Sequence, residues 1–247
     1  MNNKSEHGGS GSQAGGFSLA ECLIALSLSL FVVCASLEFF GLAQKHFFGR
    51  KEKEEAGQDA MAALDKMRID VLRAGQGLSG AVALGLLETV AKTSDGLEIV
   101  RAENAYILDG SVAAGSTRIA LTRTTDIKAG REICISDGDK GEIQTVTTVE
   151  GGAVVVSAPL AFAYDAGAAS LALLERVHLS WDQSLRSLKR KVNASSAQPL
   201  LDDVRLVDFE YDEQQNIVRL RLSLDGQGEN TYEIVIFPKN PALARTG

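Results

Sequence analysis

An uncharged apolar run near the N-terminus constrains this chain more than any other stretch of its 247 residues. Cys22 to Leu37 contains no Asp, Glu, Lys or Arg over 16 residues. As a helix it would measure about 24 Å, at 1.5 Å of rise per residue. Apolar residues on both sides extend it to the roughly 30 Å thickness of a bilayer's hydrocarbon layer. The sequence therefore predicts a single transmembrane helix at about residues 17–42.

One carboxylate, Glu21, stands at the front of this run. An acidic group placed deep in a bilayer costs roughly 2.5–3.5 kcal/mol on insertion scales. A side chain kept at such a cost normally has a partner or a function. Glu21 is therefore the first candidate functional residue.

Two kinds of export signal would also produce an apolar run near the N-terminus. A secretory signal peptide has an apolar region of roughly 7–15 residues before a cleavage site of small residues, and Ala35 and Ser36 could form such a site. A lipoprotein signal would modify Cys34, although Val33 is poorly suited to the position before it. Glu21 at the front of the apolar region counts against both.

The apolar run continues without a break into a charged helical pattern. One stripe of apolar residues recurs at steps of three and four, as on a single helix face: Ala56, Ala60, Leu64, Met67 and Val71. No proline occurs between residues 17 and 75, and Gly75 and Gly77 form a natural stop. We therefore predict a stem helix over residues 17–77 whose stripe packs on a globular head.

The remaining residues, 78–240, predict a head of short antiparallel strands separated by Gly, Asp and Ser turns. Residues 111–165 form a compact group of short strands that we interpret as an insertion, and residues 171–237 form a second antiparallel set. Alternation in the second set predicts one face packed on the helix and an outer face marked by Arg219, Arg221 and Ser223. The predicted class is α+β, with a short tail at 241–247.

Charge and motifs argue against several function classes. The net charge of −7 is unsuited to a general nucleic-acid surface. The three cysteines indicate no disulfide framework, and no nucleotide-binding or catalytic motif is present. We therefore expect neither enzymatic activity nor a cofactor.

The acidic stretch at Asp137, Asp139 and Glu142 is a weak metal candidate, since hard cations favour clustered oxygens. Its spacing does not fit an EF-hand, and Asp-Gly is common in hairpin turns. A turn is the favoured interpretation.

The segment from Gly15 to Glu21 resembles the class III signal of type IV pilins and of type II secretion pseudopilins. The shared features are a polar leader, a Gly, a Phe and a Glu five places after the Gly. The resemblance implies that a prepilin peptidase cleaves between Gly16 and Phe17, removes residues 1–16 and N-methylates Phe17. It also implies that Glu21 sets the register of assembly, because an acid in a low dielectric attracts the free amine of a neighbouring subunit's Phe17.

Arg68 to Gly77 resembles the end of the stem in the PilW group of minor pilins, with Gln76 where an aromatic residue is usual. The resemblance implies a pilin fold and a minor pilin that joins an initiating or tip complex and promotes type IV pilus assembly. The implied partners are other minor pilins, the major pilin, prepilin peptidase and the inner-membrane assembly platform. The implied location is the bacterial inner membrane, with a periplasmic head, and then the pilus or pseudopilus.

Two alternatives remain open at this point. A J-type pseudopilin at the tip of a type II secretion pseudopilus shares the stem and head. A membrane-tethered periplasmic enzyme or solute-binding domain would instead have a deep pocket with convergent polar groups in the head and no cut at Gly16.

Overall fold

The computed structural model describes residues 18–225 and 231–240. The chain divides into two compact units, residues 1–54 and 55–247. The class is α+β, with one long apolar N-terminal helix and antiparallel sheets. The helices are α1 (Leu19–Leu72) and α2 (Ser79–Ala83). The strands are β1 (Val90–Lys92), β2 (Gly96–Tyr106), β3 (Arg118–Ala120), β4 (Glu132–Ser136), β5 (Gly141–Glu150), β6 (Ala153–Val156), β7 (Ser170–Asp182), β8 (Ser187–Val192), β9 (Gln198–Leu201), β10 (Val204–Asp212), β11 (Ile217–Leu224) and β12 (Thr231–Ile236).

In the first unit, the described residues after Ser18 are helical throughout. The hydroxyls of Ser27, Ser29 and Ser36 donate to carbonyls of the preceding turn at 2.9, 2.9 and 2.7 Å. These polar groups are therefore satisfied within the helix itself, which is what an apolar surrounding requires.

In the second unit, the C-terminal part of α1 buries the apolar stripe predicted from the sequence. Ala60, Leu64, Met67 and Val71 are at most 2% exposed, and Ala56 is partly buried beside them. The helix ends at Leu72, earlier than the predicted Gly77. Turns follow over residues 73–77, and the Gly75 N–H donates to the carbonyl of Val100 at 2.8 Å. This bond fixes the chain against β2 and ends the helical ladder.

In the part of the chain that the structure describes, nine strands form the larger sheet, in the order β1-β2-β7-β4-β5-β6-β3, with β8 paired to β7 and β9 to β8. A separate sheet has the order β10-β11-β12. All the strand pairs are antiparallel. The predicted grouping of residues 171–237 into one set was therefore wrong, because β7 pairs with β2 and β4 and carries β8 and β9 into the larger sheet.

A bulge in β2 explains why its full extent was hard to predict. The register between β2 and β7 shifts between Ala102 and Asn104, which leaves Glu103 as the extra residue. Leu97 and Ile99 are buried before the bulge and Tyr106 after it, so the buried positions change parity. Alternation in the sequence predicts two short strands here, Leu97 to Arg101 and Tyr106 to Asp109, where the structure has one strand, Gly96–Tyr106.

Among the described residues of the second unit, buried hydrophobic side chains form three clusters. The helix-facing core joins α1 to β1, β2, β7, β8, β9 and the three-stranded sheet. The second core lies among residues 106–173 and includes Ile119, Ile133, Val154 and Tyr164. The third cluster packs α2 against β2, β4 and β7 through residues including Leu78, Val100 and Leu174.

The three-stranded sheet carries its charges on the face away from the helix-facing core. Arg219 and Arg221 lie there, about 40% exposed and paired with acids of neighbouring strands. Ser223 was wrongly predicted to share this surface, since it is only 3% exposed. Its partners across the sheet are Leu206 and Thr231, at the end where β10 has its register shift.

Candidate functional site

The first turn of α1 places Glu21 in a reciprocal pair of hydrogen bonds with Ser18. The Ser18 backbone N–H donates to Glu21 Oε2 at 2.9 Å, and the Glu21 N–H donates to Ser18 Oγ at 3.2 Å. This is a capping box, which satisfies two of the N–H groups that a helix start leaves without partners. The signature Ser-x-x-Glu was visible in the sequence, but its capping role was missed there.

The apolar segment that follows Glu21 presents its side chains outward. Leu23, Phe31, Leu37 and Phe39 are each more than 60% exposed, as are most of their large neighbours. The helix is long and apolar enough to cross a membrane by length and composition. An apolar surface of this extent needs lipid or other apolar helices around it.

The predicted cleavage site and methylation site, Gly16 and Phe17, lie outside the described residues. Peptidase processing therefore stays a prediction from the sequence.

The acidic stretch forms the loop of the β4–β5 hairpin, as the Asp-Gly pair suggested. Asp137 accepts from the Lys140 N–H at 3.2 Å and pairs with its ammonium group at 3.3 Å. Glu142 lies on β5 and accepts from the N–H groups of Ala161 and Phe162 and from the Tyr164 hydroxyl, at 3.0–3.3 Å. The three predicted oxygen donors are thus not brought together. Within residues 18–225 and 231–240, no group of three or more His, Cys, Asp or Glu side chains is arranged to hold a metal ion.

A polar recess of about 510 Å³ opens on the larger sheet. Its charges are largely paired with one another: Arg176 binds Glu98 at 2.7 Å and Glu132 at 2.6 Å. His178 lies at the same recess and contacts Thr93 Oγ1 at 3.2 Å and Asp95 at 3.3 Å. Thr93 and Asp95 both contact Nε2 of His178, so Asp95 does not hold the second ring nitrogen, which is the one that the orienting acid of a catalytic triad binds.

A buried ionic cluster in the second unit was not anticipated from the sequence. Asp70 on α1, 1% exposed, accepts from Arg190 on β8 and from Arg101 on β2. Arg101 also binds Glu175 on β7 at 2.6 Å. The negative charges of the two carboxylates and the positive charges of the two arginines therefore compensate each other, and their ion pairs link α1 to β2, β7 and β8. Only the tertiary structure brings together residues this far apart in sequence.

Comparison with known proteins gives no family assignment. No protein-family profile and no curated protein matches the sequence. Among solved structures, the tailspike gp61 of Pseudomonas phage phi297 has a TM-score of 0.27 and 16% identity, over 30% of this chain and 14% of the tailspike. The tailspike gp49 of Pseudomonas phage LKA1 has a TM-score of 0.25 and 26% identity, over 28% and 14%.

The Gp54 tailspike of Acinetobacter baumannii bacteriophage AP22, solved with a capsular saccharide, has a TM-score of 0.27 and 18% identity, over 31% and 15%. The chain thus spans about one seventh of the length of the tailspikes it matches. Likenesses this partial carry no argument about fold or function.

Proposed function

We propose that this protein is a non-enzymatic minor pilin, which joins an initiating complex with other minor pilins and the major pilin and promotes type IV pilus assembly. The observation that carries the proposal is a single carboxylate in the first turn of a long, outward-facing apolar helix. The resemblance at Gly15–Glu21 supplies the processing step, in which prepilin peptidase exposes Phe17.

The outward-facing apolar side chains of the N-terminal segment support a helix that is first inserted in a membrane and later packed in a bundle of subunit helices. Side chains such as Leu23 and Phe31 are more than 60% exposed, although water is a poor solvent for them. Lipid would cover them before assembly, and the apolar helices of neighbouring subunits would cover them afterwards. The C-terminal part of the same helix buries Leu64 and Met67, which anchors it in the β-rich unit.

Capping and assembly do not compete for Glu21. The bond from the Ser18 N–H uses Oε2 of the carboxylate. An ionised carboxylate has two oxygens and accepts about four hydrogen bonds. Glu21 can therefore cap its own helix and still bind the amine of a neighbouring subunit's Phe17, in a low dielectric where the attraction is strong.

Mass spectrometry of the mature N-terminus tests the processing step. The proposal expects an N-methylated Phe17 and no residues 1–16. An intact Met1, or a new N-terminus near Ala35, would overturn it.

A pair of substitutions separates the assembly role of Glu21 from its capping role. Glu21→Gln keeps a side chain that can complete a capping box but removes the charge. Ser18→Ala removes the cap, at about 1 kcal/mol of helix stability, and keeps the charge. We expect Glu21→Gln to lower recovery of the processed subunit in sheared filaments about tenfold or more, while Ser18→Ala stays near wild type. Equal losses in both variants would mean that Glu21 only caps the helix.

The filament in which the subunit is recovered decides between the two related functions. Recovery in secretion pseudopili instead of pili would assign the protein to the J-type group.

A further inference from the structure

The strand β12 lies at the end of the three-stranded sheet and has a neighbour on one side. It pairs with β11 in unbroken register from Thr231↔Ser223 to Ile236↔Val218. Among residues 18–225 and 231–240, no strand pairs with its other side. In an antiparallel edge strand, alternate N–H and C=O groups point away from the sheet and can pair with another chain.

The other sheet edges carry features that discourage such pairing. β10 has a register shift between Val204 and Leu206 and lies next to β1. β9 contains Pro199, and β1 and β3 have three residues each. Bulges, prolines and short lengths are the devices by which natural edge strands avoid added strands. β12 has six residues, no proline, no lysine and no bulge.

The surface beside this edge is partly apolar. Val235 is 58% exposed and Phe237 is 49% exposed, while Ile234 on the opposite face packs against the helix-facing core. Glu233, two positions before Val235 and on the same outer face, has a side chain that is 45% exposed. An added strand would therefore cover apolar surface and one carboxylate.

The pairing of β12 with β11 shows which residues lie opposite those of β12 in the sheet. On β11, Arg221 lies opposite Glu233 and binds it at 3.3 Å, and Arg219 lies opposite Val235. The alternate residues of β11, Leu220 and Leu222, face the helix-facing core. The outer face also carries Asp208 and Glu210 on β10, which pair with the same two arginines. With Glu233, these acids outnumber Arg219 and Arg221, so this group of side chains has a net negative charge that a basic strand would complement.

We propose that the open side of β12 binds an extended segment of another protein, in which Leu or Val alternates with Arg or Lys, by antiparallel strand addition. Backbone hydrogen bonds supply affinity in this mode of recognition, and alternate side chains supply specificity. The basic residues of the partner would face Glu233 and Val235, and its apolar residues would extend the inner face next to Ile234. This inference does not depend on the filament proposal.

A synthetic peptide with the sequence of β11, Ile-Val-Arg-Leu-Arg-Leu-Ser-Leu, is the probe for this edge. Binding of the labelled peptide to the full chain in detergent is measured by fluorescence anisotropy, with a peptide carrying Glu in place of both Arg as the control. We expect saturable binding of the basic peptide, slower amide exchange at Glu233–Ile236 and no binding of the acidic peptide. Absence of binding, or equal binding of both peptides, would overturn the proposal.

Two matched variants locate the binding site. Val235→Lys places a positive charge next to the basic residues of the incoming strand. Lysine on an edge strand is also one of the devices by which natural proteins prevent strand addition. Leu185→Lys makes the same change at a residue that is 64% exposed in the turn between β7 and β8. We expect about tenfold weaker peptide binding in Val235→Lys and unchanged binding in Leu185→Lys.

A concentration-dependent dimer that Val235→Lys abolishes would instead identify a second copy of this chain as the occupant and overturn the proposal. Glu21→Gln should bind the peptide as wild type does, so failure of the filament proposal would leave this result intact.

Discussion

Arg190 donates two hydrogen bonds to Asp70, from Nε to Oδ2 at 2.7 Å and from Nη2 to Oδ1 at 3.0 Å, across 120 residues of sequence. The hydrogen bond to Asp70 is the main reason that the pKa of Arg190 is raised above its ordinary value. Arg101 contacts the same carboxylate at 3.4 Å. Asp70 is the only acid among the buried residues of α1, so the helix depends on these partners to hold it.

Removing the Asp70 charge should destabilise the second unit strongly. Asp70→Asn leaves Arg190 partly buried and short of a counter-charge, and breaking a buried pair typically costs about 3–5 kcal/mol. Asp65→Asn, an exposed change on the same helix, should stay within about 0.5 kcal/mol of wild type. Urea unfolding of the full chain in detergent, followed by Trp181 fluorescence, measures both. Equal midpoints would contradict a structural role for the pair, and Asp70→Leu combined with Arg190→Met should recover much of the loss.

Gly96 should tolerate no side chain, because β2 and β7 approach closely there. A Cβ atom at this position would lie 1.8 Å from the Leu179 carbonyl oxygen. Gly96→Ala must therefore separate the two strands, and we expect a loss of more than about 3 kcal/mol. Gly167→Ala is the control, since nothing lies within 4 Å of its added Cβ. Thermal unfolding by circular dichroism compares the two, and a Gly96→Ala variant as stable as Gly167→Ala would show that the strands can move apart cheaply.

Glu142 should act as an anchor for the loop before Tyr164 and not as a calcium ligand. Glu142→Ala removes the acceptor for two N–H groups and one hydroxyl, and each donor left unsatisfied costs about 1–3 kcal/mol where it is buried. We expect faster amide exchange at Ala161 and Phe162, measured by mass spectrometry, with exchange in β12 unchanged. Millimolar calcium should not alter the exchange of wild type, and protection by calcium would contradict the anchor role.

Cys134 should make the protein less stable at high pH. Burial raises the pKa of its thiol from 9.0 to about 11, so the native state disfavours the thiolate. The stabilising contribution is present below pH 9 and is lost as the pH rises towards 11, because the unfolded chain releases the proton first. Two pKa units correspond to about 2–3 kcal/mol.

The difference between wild type and Cys134→Ala isolates this contribution, since other groups titrate equally in both. Both chains carry Cys22→Ala and Cys34→Ala, and urea unfolding is followed from pH 8 to pH 11. The gap between their free energies of unfolding should narrow as the pH rises. A constant gap would mean that the thiol titrates normally in the native state.

Local patterns in the sequence predicted the helix better than the sheets. The stripe from Ala60 to Val71 follows from helical spacing, which depends on near neighbours only. The bulge at Glu103 reverses the alternation of β2, so the pattern that normally indicates a strand misled us at that point. Sheet membership of β7 depended on distant partners, which alternation does not encode.

In the candidate site, too, the sequence identified the residue with a local signal and missed those that only the fold brings together. Glu21 was identified from the sequence because a carboxylate in an apolar run is rare and costly. The ionic cluster of Asp70, Arg101, Glu175 and Arg190 carries no local signature, since charged residues are common on surfaces. Only the fold buries Asp70 and Arg101 and partly buries Glu175 and Arg190. The open side of β12 likewise follows from strand order and not from its own residues.

The strand β7 contributes to two hydrophobic cores and therefore couples their unfolding. Its thirteen residues supply Leu171 and Leu173 to the second core and Val177 and Leu179 to the helix-facing core. Neither core can melt without loosening a strand that the other requires, so the two should fail together in a single cooperative event. Excising residues 111–165, the predicted insertion, would remove β4 and with it the pairing to the first four residues of β7, Ser170 to Leu173, so the insertion is inseparable from the sheet that contains it.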